Sequence, residues 1–327
     1  MPAGKGRPGD IAQAPLWLHR FTVFTAAMTL LLIFVGGLVT STASGLAVPD
    51  WPLSFGQVFP PMVGGVLFEH GHRMVAAFVG VLTVTLMVCY VRWEPRAWVR
   101  WLARGALAVV MVQGLLGGLT VLWRLPTAVS VTHACLAQTF LCLMVTLAVC
   151  TAPGWQTRAA ILVTSASPSL HTLTRVATGM IFLQLLLGAL MRHTGAGLAI
   201  PDFPLAFGRV IPPLVSQGVI IHFLHRVGAV AVTAVIAWCV MRVLTAYRAE
   251  PQLRRPAMLL AALLLVQLML GALTIWTQRA VIPMTAHVAV GAAVLATSLV
   301  LALHTSHMVI APGRMYRREP VSGQVTA

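Results

Sequence analysis

The chain has 327 residues, of which 58% are hydrophobic and 9% charged, and a mean hydropathy of +0.88. So apolar a composition excludes a soluble globular domain and indicates an all-α integral membrane protein. The formal charge of +15, from 22 basic and 7 acidic residues, would suggest nucleic acid in a soluble protein. Here the accumulation of Lys and Arg in cytoplasmic loops explains it, and no nucleic acid is called for.

Eight apolar runs, near 20–42, 72–91, 101–122, 129–151, 172–192, 218–241, 256–277 and 281–304, predict eight transmembrane helices; crossing a bilayer takes roughly 20 residues. With both termini cytoplasmic, sixteen basic residues fall inside, among them Lys5, Arg96, Arg158, Arg254 and Arg318. Six fall at or near the outer face: Arg73, Arg124, Arg192, Arg209, Arg226 and Arg279. That bias sets the orientation. The small residues "STASG" after the first span resemble a signal-peptide cleavage site, but the span recurs internally and so reads as a permanent helix. Cys89, Cys135, Cys142, Cys150 and Cys239 all fall within spans and read as small apolar residues.

The recurrence organises the chain. Residues 36–61, "GGLVTSTASGLAVPDWPLSFGQVFPP", match residues 188–213, "GALMRHTGAGLAIPDFPLAFGRVIPP", at an offset of 152. The match continues from His72-Arg73 to His225-Arg226, from Gln113-x-x-x-Gly117 to Gln267-x-x-x-Gly271, and from His133 to His287. Two tandem pseudo-symmetric four-helix bundles of the same orientation follow. The expected divisions are a cytoplasmic segment 1–19, an N-terminal bundle 20–151, a Pro- and Ser-rich cytoplasmic linker 152–170, a C-terminal bundle 171–305 and a cytoplasmic tail 306–327. The long patterned loop between the first two spans of each half reads as a cap over the helix ends or a lid on a ligand.

Four histidines recur: His72, His133, His225 and His287. Each lies near the outer start of an even-numbered helix, so all four share one depth. Within each half, two helices that bracket a third carry them, an arrangement that suits a six-coordinate heme. Zinc would favour a tighter cluster of three or four ligands. A lone histidine in a span is as often a helix–helix hydrogen-bonding residue, but four at repeat-related positions point to a common task. Glu69 lies three residues before His72 on one helical face, and the second half has His222 there. An acid beside only one pair marks the first half as the reacting site and the second as the seat of a permanent cofactor. The plainer alternative is a Glu69 paired with Arg73 or Arg124. Arg73 and Arg226 follow their histidines and are candidates for heme propionates, or for ordinary snorkelling to the interface.

These motifs resemble the heme A synthase family: E-x-x-H-R at the second span, the loops "SGLAVPDWPLSFG" and "RHTGAGLAIPDFPLAFG", and "VTH" and "TAH" opening the fourth and eighth spans. The resemblance runs from about Leu18 to about His304. It implies an oxidoreductase of the bacterial cytoplasmic (inner) membrane that oxidises the C8 methyl of heme O to a formyl group. The product is heme A for terminal oxidases, made through a hydroxymethyl intermediate, heme I. By the same resemblance His72 and His133 flank the substrate heme with Glu69 as the acidic catalytic residue, and His225 and His287 are the axial ligands of heme b. It further implies a heme O synthase and an electron-transfer partner, and leaves homo-oligomerisation open. Some members carry cysteine pairs in the first and third outer loops; residues 38–56 and 190–208 have none. A diheme b-type cytochrome for quinol electron transfer would use the same histidines but needs no Glu69. A proton-coupled transporter would place its ionisable groups near the bilayer midplane rather than at one surface.

Overall fold

The computed structural model describes residues 14–155 and 167–308. They form eight helices: α1 Leu16–Ser41, α2 Gly65–Trp93, α3 Ala97–Leu122, α4 Thr127–Cys150, α5 Leu170–His193, α6 Gln217–Ala246, α7 Pro251–Trp276 and α8 Val281–His307. All eight are long and apolar enough to cross a membrane. Lys5, Arg7, Arg158, Arg314, Arg317 and Arg318, with most of the expected linker and tail, lie outside the described residues.

The helices outrun the apolar stretches at their polar ends. α2 begins seven residues before the expected 72, so Glu69 and His70 stand within its first turns rather than in its flank, and His72 lies about two turns inside the helix start. α1 begins at Leu16 after Pro15, and α7 opens on Pro251. Hydropathy reports the part of a helix that lies in lipid, whereas caps and proline geometry set where the helix starts. Ser169 and Ser216 supply such caps, accepting the N–H of Thr172 and Val219 at 3.1 and 3.3 Å.

In the first half α1 packs on α2, α2 on α3, α3 on α4, and α4 back on α1; α5 to α8 follow the same cyclic order. α2 and α4 therefore face each other diagonally, as do α6 and α8. The halves meet where α1 packs on α8 and where α4 packs on α5 and α8. Ile33, Leu141, Val145, Val149 and Ala292 form the apolar core of that seam.

Both described chain ends lie at one end of the molecule. His307 bonds to the Trp155 carbonyl, and Ala14, Leu16, Arg96 and Cys150 line a common cavity of about 230 Å³ there. The opposite end carries the two long loops. Each folds by the same device: Asp50 accepts the N–H groups of Phe55 and Gly56 at 2.7 and 2.8 Å, and Asp202 those of Phe207 and Gly208 at the same distances. Between Ser54 and Gln57, and between Ala206 and Arg209, a two-residue turn closes with positive φ at both central residues. Glycine supplies the second of these at no steric cost, and the aspartate's two bonds hold the first, a phenylalanine. Trp51 lies so close on Gly118 of α3 that a Cβ there would fall 2.6 Å from the indole. The loop is thereby pinned over the helix ends.

Candidate functional site

His72, His133, His225 and His287 fall seven to nine residues into α2, α4, α6 and α8, all toward the loop end. Each ring is packed against a glycine of an adjacent helix. A Cβ on Gly36 of α1 would stand 3.0 Å from His72 Cε1, and one on Gly117 of α3 3.2 Å from His133 Cε1. The second half repeats this, with Gly188 of α5 at 3.1 Å from His225 and Gly271 of α7 at 3.2 Å from His287. These separations are tighter than ordinary side-chain packing, so glycine is what lets each imidazole lie in the bundle interior. The sequence reading paired Gly117 with Gly271 but gave no glycine a role as a seat, because glycine is frequent in membrane helices. The signal was there in the offsets, 152 for Gly36 and Gly188, and 154 for Gly117 and Gly271.

The ring nitrogens divide by half. In the first, Nδ1 of His72 and Nδ1 of His133 are buried with no hydrogen-bond partner. In the second, His287 Nδ1 donates to the Gln267 carbonyl at 3.2 Å, and the Gln184 amide lies 3.1 Å from His225 Nδ1. The same amide donates to the His225 carbonyl at 2.8 Å. Gln184 fits because residue 228 is glycine, where any Cβ would collide with the amide oxygen. The matching residues of the first half are Leu32 and Val75, an apolar pair that offers His72 no partner. Gln113 and Gln267 behave alike in the two halves, each with its amide nitrogen 3.3 Å from Nε2 of its histidine.

Glu69 and His222 both anchor the loop that precedes their helix. Glu69 is buried; one carboxylate oxygen accepts the Val48 N–H at 2.9 Å and the other the Arg73 guanidinium at 2.6 Å. His222 Nδ1 accepts the matching Ile200 N–H at 3.3 Å. The pairing with Arg73 is thus present, whereas none with Arg124 is. Arg73 also donates to the carbonyls of Asp50 and Leu53 at 2.8 and 2.9 Å, and Arg226 to those of Leu205 and Asp202 at 2.8 and 2.7 Å. Both arginines therefore lock loop carbonyls. The expected propionate contact would have to compete with, or add to, these bonds. His70 has no equivalent in the second half; it bonds Ser54 Oγ through Nδ1 at 2.8 Å and so tightens the first loop further.

Outside the spans, the two backbone N–H groups that each of Asp50 and Asp202 accepts hold its carboxyl below the ordinary value of 3.8, those of Gly56 and Gly208 first. Among the described residues no three His, Cys, Asp or Glu side chains converge as a metal cluster would require. The unit of this site is a pair of imidazoles, in duplicate.

Comparison with known proteins covers most of the chain. A family model described as a cytochrome oxidase assembly protein, COX15-CtaA, matches residues 19–65 and 64–299. A heme A synthase of Symbiobacterium thermophilum is 34% identical over 265 residues, 78% of this chain and 85% of that protein. Heme A synthases of Geobacillus kaustophilus and Shouchella clausii are 29% and 28% identical, covering 78% and 80% of this chain and 82% and 88% of theirs. The duplicated loops, the four histidines and Glu69 all lie within the matched residues, and the chain belongs to the COX15-CtaA family of cytochrome oxidase assembly proteins.

Proposed function

We propose that the chain is a heme A synthase of the bacterial cytoplasmic membrane, with both termini cytoplasmic. It oxidises the C8 methyl of heme O to the formyl group of heme A by way of the hydroxymethyl compound heme I. Written with water as the oxygen source, the methyl group and one water give the formyl group, four protons and four electrons, and the electrons pass to the electron-transfer partner. The observation that carries the reading is the duplicated pair of buried histidines, each on a glycine seat, on helices that face each other diagonally. Such a donor set suits an iron porphyrin between two imidazoles. When bound, heme b supplies a site that takes up and passes on single electrons.

The halves divide the work. His287, whose Nδ1 donates to the Gln267 carbonyl, and His225, whose Nδ1 and carbonyl both lie against the Gln184 amide nitrogen, suit a resident heme b. A ligating imidazole commonly donates its second N–H to an outer partner, as His287 does. His72 and His133 lack that partner and suit a substrate that must enter and leave. Among the described residues Glu69 is the carboxylate one turn from a paired histidine, and there it would accept a proton released as the methyl carbon is oxidised.

Co-expression with a heme O synthase, followed by extraction and chromatography of the hemes, tests the reading. The wild type is expected to yield heme A and to carry bis-histidine b-type absorption that His225→Ala or His287→Ala abolishes. Glu69→Ala should keep that absorption and accumulate heme O or heme I. A colourless protein from heme-replete cells defeats the proposal. Bound heme b with heme O left unchanged would favour the diheme cytochrome instead.

A further inference from the structure

Arg192, in the last turn of α5, is a cation between the two histidine pairs with only neutral acceptors. Its guanidinium donates to the Gly37 carbonyl at 2.8 Å and to Ser41 Oγ at 2.9 Å, both on α1. Its Nε is buried with no partner. The ion pairs among the described residues are elsewhere, Arg73 with Glu69 and Arg96 with Glu94. A charged side chain within a span costs about 2.5–3.5 kcal/mol on insertion scales and is as a rule paired. Capping the last turn of α1 accounts for two donors but leaves the full positive charge without a counter-ion.

Its surroundings tie it to the site. Gly188, one turn earlier on the same face of α5, seats His225; Gly37 adjoins Gly36, which seats His72. Ser41 also receives the Thr285 hydroxyl at 2.8 Å, two residues before His287 on α8. The repeat does not supply this cation, since the matching residue of the first half is Thr40. Arg73 and Arg226, the arginines nearest the histidines in sequence, are engaged by loop carbonyls.

We infer that Arg192 binds a carboxylate of the porphyrin held between His225 and His287. This rests on the heme reading above and adds the residue that would receive a propionate. The charge missing at Arg192 is then brought by the ligand, and the α1–α5–α8 seam tightens when the second site fills.

Apo-protein from heme-depleted cells, in detergent and in a His72→Ala/His133→Ala background that isolates the second site, is titrated with ferric heme b and with its dimethyl ester. The ester keeps the iron and the ring but lacks carboxylates. The protein should prefer the free acid by about tenfold or more, as expected for a charge-assisted pair. Arg192→Gln, which keeps hydrogen-bond donors without the charge, should lose most of that preference, and Arg192→Lys should retain part of it. Equal binding of acid and ester, or an undiminished preference in Arg192→Gln, overturns the inference while leaving the heme reading intact. Failure of both porphyrins to bind brings down both the inference and the heme reading.

Discussion

The two halves of this protein share a scaffold and differ in how firmly they hold their histidines. In each, a diagonal pair of imidazoles rests on glycines from the helices between. The second half adds Gln184 in the space left by Gly228 and so engages His225 Nδ1; the first fills the matching volume with Leu32 and Val75. The loop anchors differ in the opposite sense. The first half uses a buried Glu69–Arg73 ion pair, and the second a neutral His222 contact. One duplicated frame thus carries a histidine pair whose Nδ1 atoms have partners under a loop anchored by a neutral contact, and a pair whose Nδ1 atoms have none under a loop anchored by an ion pair. The common scaffold sets where the rings stand, and a few unmatched residues set what their Nδ1 atoms meet.

The largest effects should come from removing a seat. Leucine at a position where even a Cβ would stand 3.0–3.1 Å from an imidazole must displace the ring. Gly188→Leu is expected to abolish b-type absorption, whereas Gly36→Leu should retain it and abolish conversion of heme O. Absorption spectra and extracted hemes from the two variants check this. Loss of absorption in both would mean that the seats are not independent.

Next come the loop anchors. Glu69→Ala leaves the Arg73 guanidinium and the Val48 N–H without their acceptor, and should lower stability by about 2–3 kcal/mol. His222→Ala removes one neutral hydrogen bond and should lower it by about 1 kcal/mol. Unfolding of both variants in mild detergent measures the difference. Glu69→His, which copies the second half, separates anchoring from chemistry. It should restore part of the stability and none of the heme O oxidation.

Exchanging the pairs that flank the first histidine of each half should have a smaller but more specific effect. Gln184→Leu with Gly228→Val gives the second site the first half's lining, and should speed release of its heme to apomyoglobin by about tenfold, roughly the loss of one hydrogen bond. Leu32→Gln with Val75→Gly makes the reverse exchange and should slow departure of product from the first site. Unchanged release rates in both would assign the residence of the hemes to something other than His225 Nδ1.

Much of this frame was legible in the sequence, for reasons that also explain what was not. Eight apolar runs and an offset of about 152 residues gave the helices and the four histidines, because lipid and duplication both leave long-range patterns. The start of α2 at Gly65 was missed because Phe68-Glu69-His70 interrupts hydropathy without interrupting the helix. Arg73 and Arg226 were read as propionate candidates or snorkelling residues from their place after the histidines; sequence proximity carries no direction, so the bonds of their guanidinium groups to the loop carbonyls were not legible there. Gln184 opposite Leu32 is visible in the alignment of the halves. Its meaning needs Gly228 beside it, across from α5 on α6, a contact no local pattern encodes.

The smallest effect should fall equally on both halves, because the aspartate turns do not differ. Asp50 and Asp202 each accept two backbone N–H groups, and each has its carboxyl held below 3.8 by those bonds. A carboxyl depressed in the folded state contributes order above its unfolded value and loses that contribution as pH falls through the folded value. Both loops should therefore be indifferent to pH from neutrality down to about 4, and loosen together below it. Both carboxylates are exposed, so the change stays local to the turn rather than spreading to the helices. Trp51, lying on Gly118, gives the first loop a fluorescence reporter. Its emission should shift toward that of solvated indole only below about pH 4, and Asp50→Asn should show the shifted emission at neutral pH. Amide exchange at Phe207 and Gly208 reads the second loop. If it opened at a clearly different pH from the first, the turns would not be the equivalent devices their matching distances indicate, and the contrast between the halves would extend to the loops themselves.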